Sequence, residues 1–331
     1  MGMNVPLTLA LATERWPIHG SFAISRGAKT EAVVVVAEVS DGKVRGRGEC
    51  VPYARYGESI ESVTKAIEEM RPELQRGIGR DGLQKAMPPG AARNALDCAL
   101  WDLEAKRSGR RAHELAGLPA PRPLTTAFTI SLAPPAEMAR AAERAADRTL
   151  LKIKLGADGD PNRIRAVRDA VPQVTLIVDA NEGWTESNLG ANLDACAQAG
   201  VALVEQPLPQ GRDAALARMN RPLLVCADES VHDRASLPAL AGKYDAVNVK
   251  LDKAGGLTEA MATIADAERM NFTIMVGCMV ATSLAMAPAM LAAQKARFVD
   301  LDGPLLLSRD RAEGLRYADS LVYPPSPSLW G

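Results

Sequence analysis

The chain has 331 residues, 47% of them apolar and 24% charged, with a formal net charge of −1. This is the composition of a soluble globular protein large enough for one large domain with a smaller companion, and it gives no electrostatic reason to bind nucleic acid or an anionic membrane. The five cysteines (Cys50, Cys98, Cys196, Cys226, Cys278) are widely spaced and include no C-x-x-C pair, which disfavours a disulfide framework or a zinc site and fits a reducing cytoplasm.

In chain order, residues 1–20 have no basic start before their apolar run and are interrupted by Pro6 and Pro17, so they do not read as a signal peptide. Met1-Gly2 lacks Ser or Thr at the sixth position and does not read as a myristoylation site. Residues 30–39 (TEAVVVVAEV) are rich in β-branched side chains and predict a strand, with 44–50 returning antiparallel through a turn at Asp41-Gly42. Residues 58–71 carry Ile60, Val63, Ile67 and Met70 at helical spacing, and 91–106 (AARNALDCALWDLEAK) predict a helix buried between two layers. Pro121 and Pro123 then mark a boundary.

From Leu124 the texture changes. Eight short apolar runs (LTTAFTI, LLKIKL, VTLIVDA, VALVEQ, LLVCADE, AVNVKL, FTIMVG, FVDLD) alternate with helix-length sequence. Eight β-α units predict a parallel barrel rather than a doubly wound sheet, and no G-x-G-x-x-G follows the first run. The Ala-rich residues 280–293, broken by Pro288, read as a buried helix, and no stretch reaches the roughly 18 to 20 apolar residues of a membrane span. The fold class is thus α/β: a modified (β/α)7β barrel over residues 119–303. An α+β capping domain spans residues 1–118 and is completed by the Pro-rich tail 304–331.

One charged residue recurs at the same phase of successive runs: Lys154, Asp179, Glu205, Asp228, Lys250 and Asp300, separated by 25, 26, 23, 22 and 50 residues. In a parallel barrel the C-terminal strand ends share one face, so these charges converge. Asp179, Glu205 and Asp228 form a hard oxygen set that favours Mg²⁺, with Mn²⁺ able to substitute; taken singly, each could equally cap a helix. Lys152 and Lys154, two apart on a strand, point the same way, and Lys250 ends the sixth strand opposite them. Lysines close to each other and to a cation are expected to have depressed pKa values, which makes an amine base available. An amine can take the α-proton of a carboxylate only if a cation stabilises the enediolate. Bases on both faces allow 1,1-proton transfer, with Lys154 and Lys250 as the pair.

K-x-K at Lys152/Lys154, DAN at Asp179, EQP at Glu205, ADES at Asp228 and the first lysine of NVKLDKAGG resemble the muconate-lactonizing subgroup of the enolase superfamily. The D-x-D of Asp300 and Asp302, PYARYGES after residue 51 and ISRG around Arg26 resemble its dipeptide epimerases of the L-Ala-D/L-Glu type. The resemblance implies a dipeptide substrate, one Mg²⁺ per subunit and a place in recycling murein peptides. It implies that Lys154 serves the R-configured substrate, Lys250 the S-configured one, and that Lys152 assists the enediolate. Asp300 and Asp302 would grip the α-ammonium group; an Asp-turn before Gly303 is the plain alternative. Thr129, Cys278, Met279 and Val280 would contact the dipeptide, largely through backbone, although Cys278 on its own reads more readily as a small buried apolar residue. Arg26 would meet an acidic second residue, or else be a solvated loop arginine. None of His19, His113 and His232 falls on a late strand, so a histidine base is disfavoured. A cycloisomerase or lyase of the same superfamily (muconate cycloisomerase or o-succinylbenzoate synthase type) and an N-acylamino acid racemase stay open, as does assembly into a homo-oligomer.

Overall fold

A computed structural model describes residues 6–331; Met1-Gly2 and the start of the segment assessed as a signal peptide lie outside them. Three antiparallel strands open the chain: β1 (Thr8–Ile24), β2 (Gly27–Ser40) and β3 (Arg45–Cys50), in the order β1-β2-β3. The sequence reading missed β1, because most of its residues are exposed and its apolar alternation is faint. The helix expected over 58–71 is α1 (Ile60–Glu68), and a separate α2 (Arg71–Gln75) starts where that range ends. Pro72 explains the break, since proline fits a helix's first turn and disrupts its interior. After α3 (Arg80–Ala86), α4 (Ala91–Ser108) lies against β3, so close that a Cβ on Gly48 would stand 2.1 Å from the Ala95 carbonyl oxygen. A short α5 (Ala112–Leu115) follows.

The first apolar run divides. β4 (Leu124–Thr125) pairs with the tail, and only β5 (Phe128–Ile130) enters the barrel. The barrel then continues through α6 (Pro135–Arg144), β6 (Leu150–Lys154), α7 (Asp160–Ala170), β7 (Thr175–Asp179), α8 (Glu186–Gln198) and β8 (Val201–Glu205). It completes with β9 (Leu224–Ala227), β10 (Ala246–Val249), α9 (Leu251–Ala254), α10 (Leu257–Arg269), β11 (Thr273–Gly277), α11 (Ser283–Ala292) and β12 (Phe298–Asp300). All eight strands run parallel in sequence order, and Ala127 N–H donates to the Val299 carbonyl at 2.8 Å to close the ring in part. The connections after β8 and β9 are 3₁₀ turns (Ala214–Arg218 and Arg234–Leu240) rather than the expected α-helices. Pro207, Pro209 and Gly211 interrupt the first, and Pro238 sits inside the second. The Ala-rich run expected as a buried helix is α11, and inside it lies Pro288. It forfeits one backbone bond, while nearly the whole helix is buried in the core.

After α12 (Gly303–Leu306), the tail forms β13 (Tyr317–Ala318) and β14 (Leu321–Val322), then returns to α4. Trp330 Nε1 donates to the Cys98 carbonyl at 3.0 Å and Gly331 N–H to Asp102 Oδ1 at 2.8 Å. Inside the barrel, Ala127, Leu150, Ile177, Leu203, Cys226, Ala246, Met275 and Phe298 form one buried cluster, each from a different strand or its first turn. This is the apolar floor of the barrel. No helix among the described residues is long and apolar enough to cross a membrane.

Candidate active site

Side chains two apart on a strand share a face. Two residues beyond each floor position stand Thr129, Lys152, Asp179, Glu205, Asp228, Asn248, Gly277 and Asp300, all buried. The barrel thus passes from an apolar to a polar layer in one step, at the C-terminal strand ends. Gly277 carries no side chain because a Cβ there would lie 2.7 Å from Asn248 Oδ1, and Asn248 Nδ2 donates to Glu205 Oε1 at 2.7 Å. Two residues further on, Lys154, Lys250 and Asp302 reach the rim.

Asp179, Glu205 and Asp228 each bring an oxygen within 4.8 Å of the others. Lys152 Nζ stands 2.7 Å from Asp300 Oδ2, 2.6 Å from Glu205 Oε2 and 3.2 Å from Asp179 Oδ2. Lys154 donates to Asp179 Oδ2 and Lys250 to Asp228 Oδ2, both at 2.7 Å. These two lysines stand on the second strand and just beyond the sixth of an eight-stranded ring, on opposite sides of the triad. The Phe22 ring, from β1, lies over Lys154 with its centroid 5.5 Å from Nζ.

Lys152 and Lys250 depart from the expected pKa depression. Burial opposes the charge of Lys152, but Asp300, Glu205 and Asp179 outweigh it and hold the ammonium well above the lysine range. Lys250 is likewise raised, with Asp228 and then Glu205 overcoming burial. Each ammonium is in direct contact with carboxylate, a stronger effect here than lysine–lysine repulsion. Burial works against the charge of Asp179 and Asp228 too, yet their lysine partners keep both far below the carboxylate range. Glu205 behaves differently: burial and the Asp179 charge push it up to about 7.

The triad's chemistry fits a hard divalent cation. All three are buried carboxylates, and Glu205 Oε2, although 2.6 Å from Lys152 Nζ, receives no hydrogen bond of acceptable geometry. A buried oxygen without a donor is costly unless a cation satisfies it.

On the eighth strand, Asp302 Oδ2 accepts the Thr129 amide at 2.7 Å, while the buried Asp300 Oδ1 has no hydrogen-bond partner. Burial, reinforced by Asp300, pushes Asp302 up to about 7. Cys278, Met279 and Val280 are half-buried just after β11, and burial followed by the charges of Asp300 and Asp302 raises the Cys278 thiol. Arg26 keeps a partly exposed side chain (28%), but its guanidinium is tied down. From the β1–β2 turn it donates to Glu229 Oε1 at 2.6 Å, the Asn181 carbonyl at 2.7 Å, Glu182 Oε2 at 3.2 Å and Tyr53 OH at 3.2 Å.

Several contributors escaped the sequence reading. Lys253 is fully buried and bonds both the carboxylate and the carbonyl of Asp228, and burial lowers its pKa in spite of that carboxylate. Asn181 donates to Asp179 through its backbone (2.9 Å) and its side chain (3.2 Å). Gln206 Oε1 accepts the Asp228 amide at 2.8 Å. All three lie inside the motifs already quoted, adjacent to or a few residues from a ligand or lysine.

Comparison with known proteins agrees with this geometry. Residues 7–117 match the mandelate racemase/muconate lactonizing enzyme N-terminal domain, and residues 137–326 the enolase C-terminal domain-like family. The chain is 46% identical to the L-Ala-D/L-Glu epimerase of Escherichia coli strain K12, over 94% of this chain and 97% of that one. It is 44% identical to an N-acetyl-D-glutamate racemase from a Pseudoalteromonas species, over 90% and 95%. Among solved structures, an enolase family member from Agrobacterium tumefaciens with homology to dipeptide epimerases, holding sodium and L-Ala-L-Glu with an ordered loop, superposes with a TM-score of 0.97. Its identity is 56%, covering 98% of this chain and all of that one. This chain belongs to the mandelate racemase/muconate-lactonizing enzymes of the enolase superfamily, and is an isomerase of the branch that holds the dipeptide epimerases.

Proposed function

We propose that the chain epimerises dipeptides of the L-Ala-D/L-Glu type at the glutamyl α-carbon, by proton transfer between Lys154 and Lys250. The observation that carries this is the placement of two buried lysines on opposite sides of one carboxylate triad. A substrate α-carbon above the triad has one lysine on each face, so one takes the proton and the other returns it with inversion. Mg²⁺ is the cation proposed for Asp179, Glu205 and Asp228, with Mn²⁺ able to substitute; bound there, it would stabilise the charge that develops on the substrate carboxylate and offset the carboxylate charge that raises Lys250. Lys152, against Glu205 and Asp300, adds positive charge on the same side. The Phe22 ring over Lys154 would limit the access of water there. Asp300 Oδ1, buried and without a partner, and Asp302 would receive the substrate's ammonium group.

The second reading is racemisation of N-acetylglutamate, favoured by the Pseudoalteromonas relative. Both substrates are N-acylated glutamates with the same reacting carbon, and they differ by the alanyl residue's ammonium group and one methyl group. Two buried carboxylates at the end of the eighth strand favour the substrate that has it. The experiment is to incubate the protein with L-Ala-L-Glu and Mg²⁺ in D₂O and follow the glutamyl α-proton by NMR. Loss of that signal with appearance of L-Ala-D-Glu is expected. No exchange with L-Ala-L-Glu or any other dipeptide would overturn the proposal.

A further inference from the structure

We propose that Glu182 is a positioning residue that clamps two capping loops onto the barrel rim and holds Arg26 in place for an acidic second residue. The Arg26 part rests on the dipeptide reading above; the clamp does not. Glu182 follows β7, three residues past Asp179, and its side chain is 8% exposed. Both its oxygens are engaged. Arg55, in the 3₁₀ turn Ala54–Tyr56, grips it bidentately, Nε to Oε2 and Nη2 to Oε1, each at 2.7 Å. Arg26 Nη1 reaches Oε2 at 3.2 Å, and the Gln210 amide donates to Oε1 at 2.8 Å. One carboxylate therefore ties together the β1–β2 turn, the loop around Tyr53 and the segment after β8.

The anchor beneath it is stiff. Asn181 and Glu182 take left-handed backbone angles (φ 44° and 65°), and Gly183 is pressed so closely on Gly156 that a Cβ there would lie 2.4 Å from the Gly156 Cα. Gly156 is two residues past Lys154, so the clamp is fixed to the frame that carries a proposed base. Ser25 Oγ and Arg26 Nη1 also bond the Asn181 carbonyl, both at 2.7 Å. Arg26 and Arg55 are balanced by Glu182 and Glu229, two charges of each sign. This makes the effect of Glu182→Gln diagnostic. If charge alone mattered, removing a negative group beside Arg26 would tighten an acidic substrate; a clamp lost would loosen it.

The test has two arms. Trypsin cuts after arginine, so limited digestion of the unliganded protein at Arg26 and Arg55 reads loop release without any turnover. Glu182→Gln is expected to raise both cleavage rates about tenfold, and Arg55→Gln, which disturbs only the capping side, to do the same at Arg26. In the second arm, Glu182→Gln is expected to raise KM for L-Ala-L-Glu about tenfold with kcat little changed, and to lower the preference for L-Ala-L-Glu over L-Ala-L-Leu. Unchanged cleavage in both variants, or a KM for L-Ala-L-Glu that falls, overturns the clamp. If the wild type turns over neither dipeptide, the proposed function fails while the digestion still decides the clamp.

Discussion

Replacing Asp302 by Asn separates the two substrate readings, because it removes a charge while leaving most of the shape. Asp302 is 3% exposed, and the acceptor it offers the Thr129 amide survives in an asparagine. Truncating one member of a buried, hydrogen-bonded charge pair costs about 2–5 kcal/mol. The retained amide dipole and the neighbouring Asp300 place this case at the low end, about 2 kcal/mol or about 30-fold in kcat/KM. Only L-Ala-L-Glu has the ammonium group, so the loss should fall on it and spare N-acetyl-L-glutamate. Initial epimerisation rates on both substrates, or inhibition constants where turnover is slow, give the ratio of the two specificities. That ratio is expected to drop about 30-fold in Asp302→Asn. Since burial holds Asp302 near 7 in the free protein, ionisation to meet a cation should also make the wild-type ratio rise as pH passes upward through about 7. The lysines act on both substrates and cancel in the ratio. An equal loss on the two substrates, or a ratio that ignores both the substitution and pH, would refute the assignment of Asp302 to the ammonium group.

Two further substitutions test how the site is held. Lys253→Met strips Asp228 of a buried ammonium; breaking such a pair costs about 3 kcal/mol, so thermal unfolding should show a clear loss of stability and Mg²⁺ titration a weaker site. A variant as stable as the wild type would mean Lys250 alone suffices for Asp228. Gly48→Ala places a methyl 2.1 Å from the Ala95 carbonyl oxygen and 2.7 Å from the Ala99 nitrogen, both helix backbone. Neither can yield cheaply, so a destabilisation of about 3 kcal/mol is expected by denaturant unfolding, and one below the noise would show that α4 can move off β3.

The barrel and its charged layer were legible because one geometric rule covers them. Parallel strands aim their C-terminal ends at one face, so a charge at the same phase of each run must converge with the others, as Lys154, Asp179, Glu205, Asp228, Lys250 and Asp300 do. Features set by distant partners left no local trace. Strand β1 is long but mostly exposed, so its 17 residues lack the alternation that betrays a half-buried strand. The raised lysine pKa values depend on which oxygens each ammonium meets, and Lys152 meets one 148 residues away. The Arg26 and Arg55 contacts to Glu182 span 156 and 127 residues, a pairing no sequence period reveals.

The account stands or falls on two lysines serving opposite faces of one carbon, and α-proton exchange in D₂O tests that directly with Lys154→Ala and Lys250→Ala. Wild-type protein should exchange the glutamyl α-proton of both L-Ala-L-Glu and L-Ala-D-Glu and interconvert them. Lys154→Ala should exchange only L-Ala-L-Glu, Lys250→Ala only L-Ala-D-Glu, and neither should interconvert the epimers. Either variant still interconverting them, or both losing exchange with the same epimer, would contradict a two-lysine mechanism.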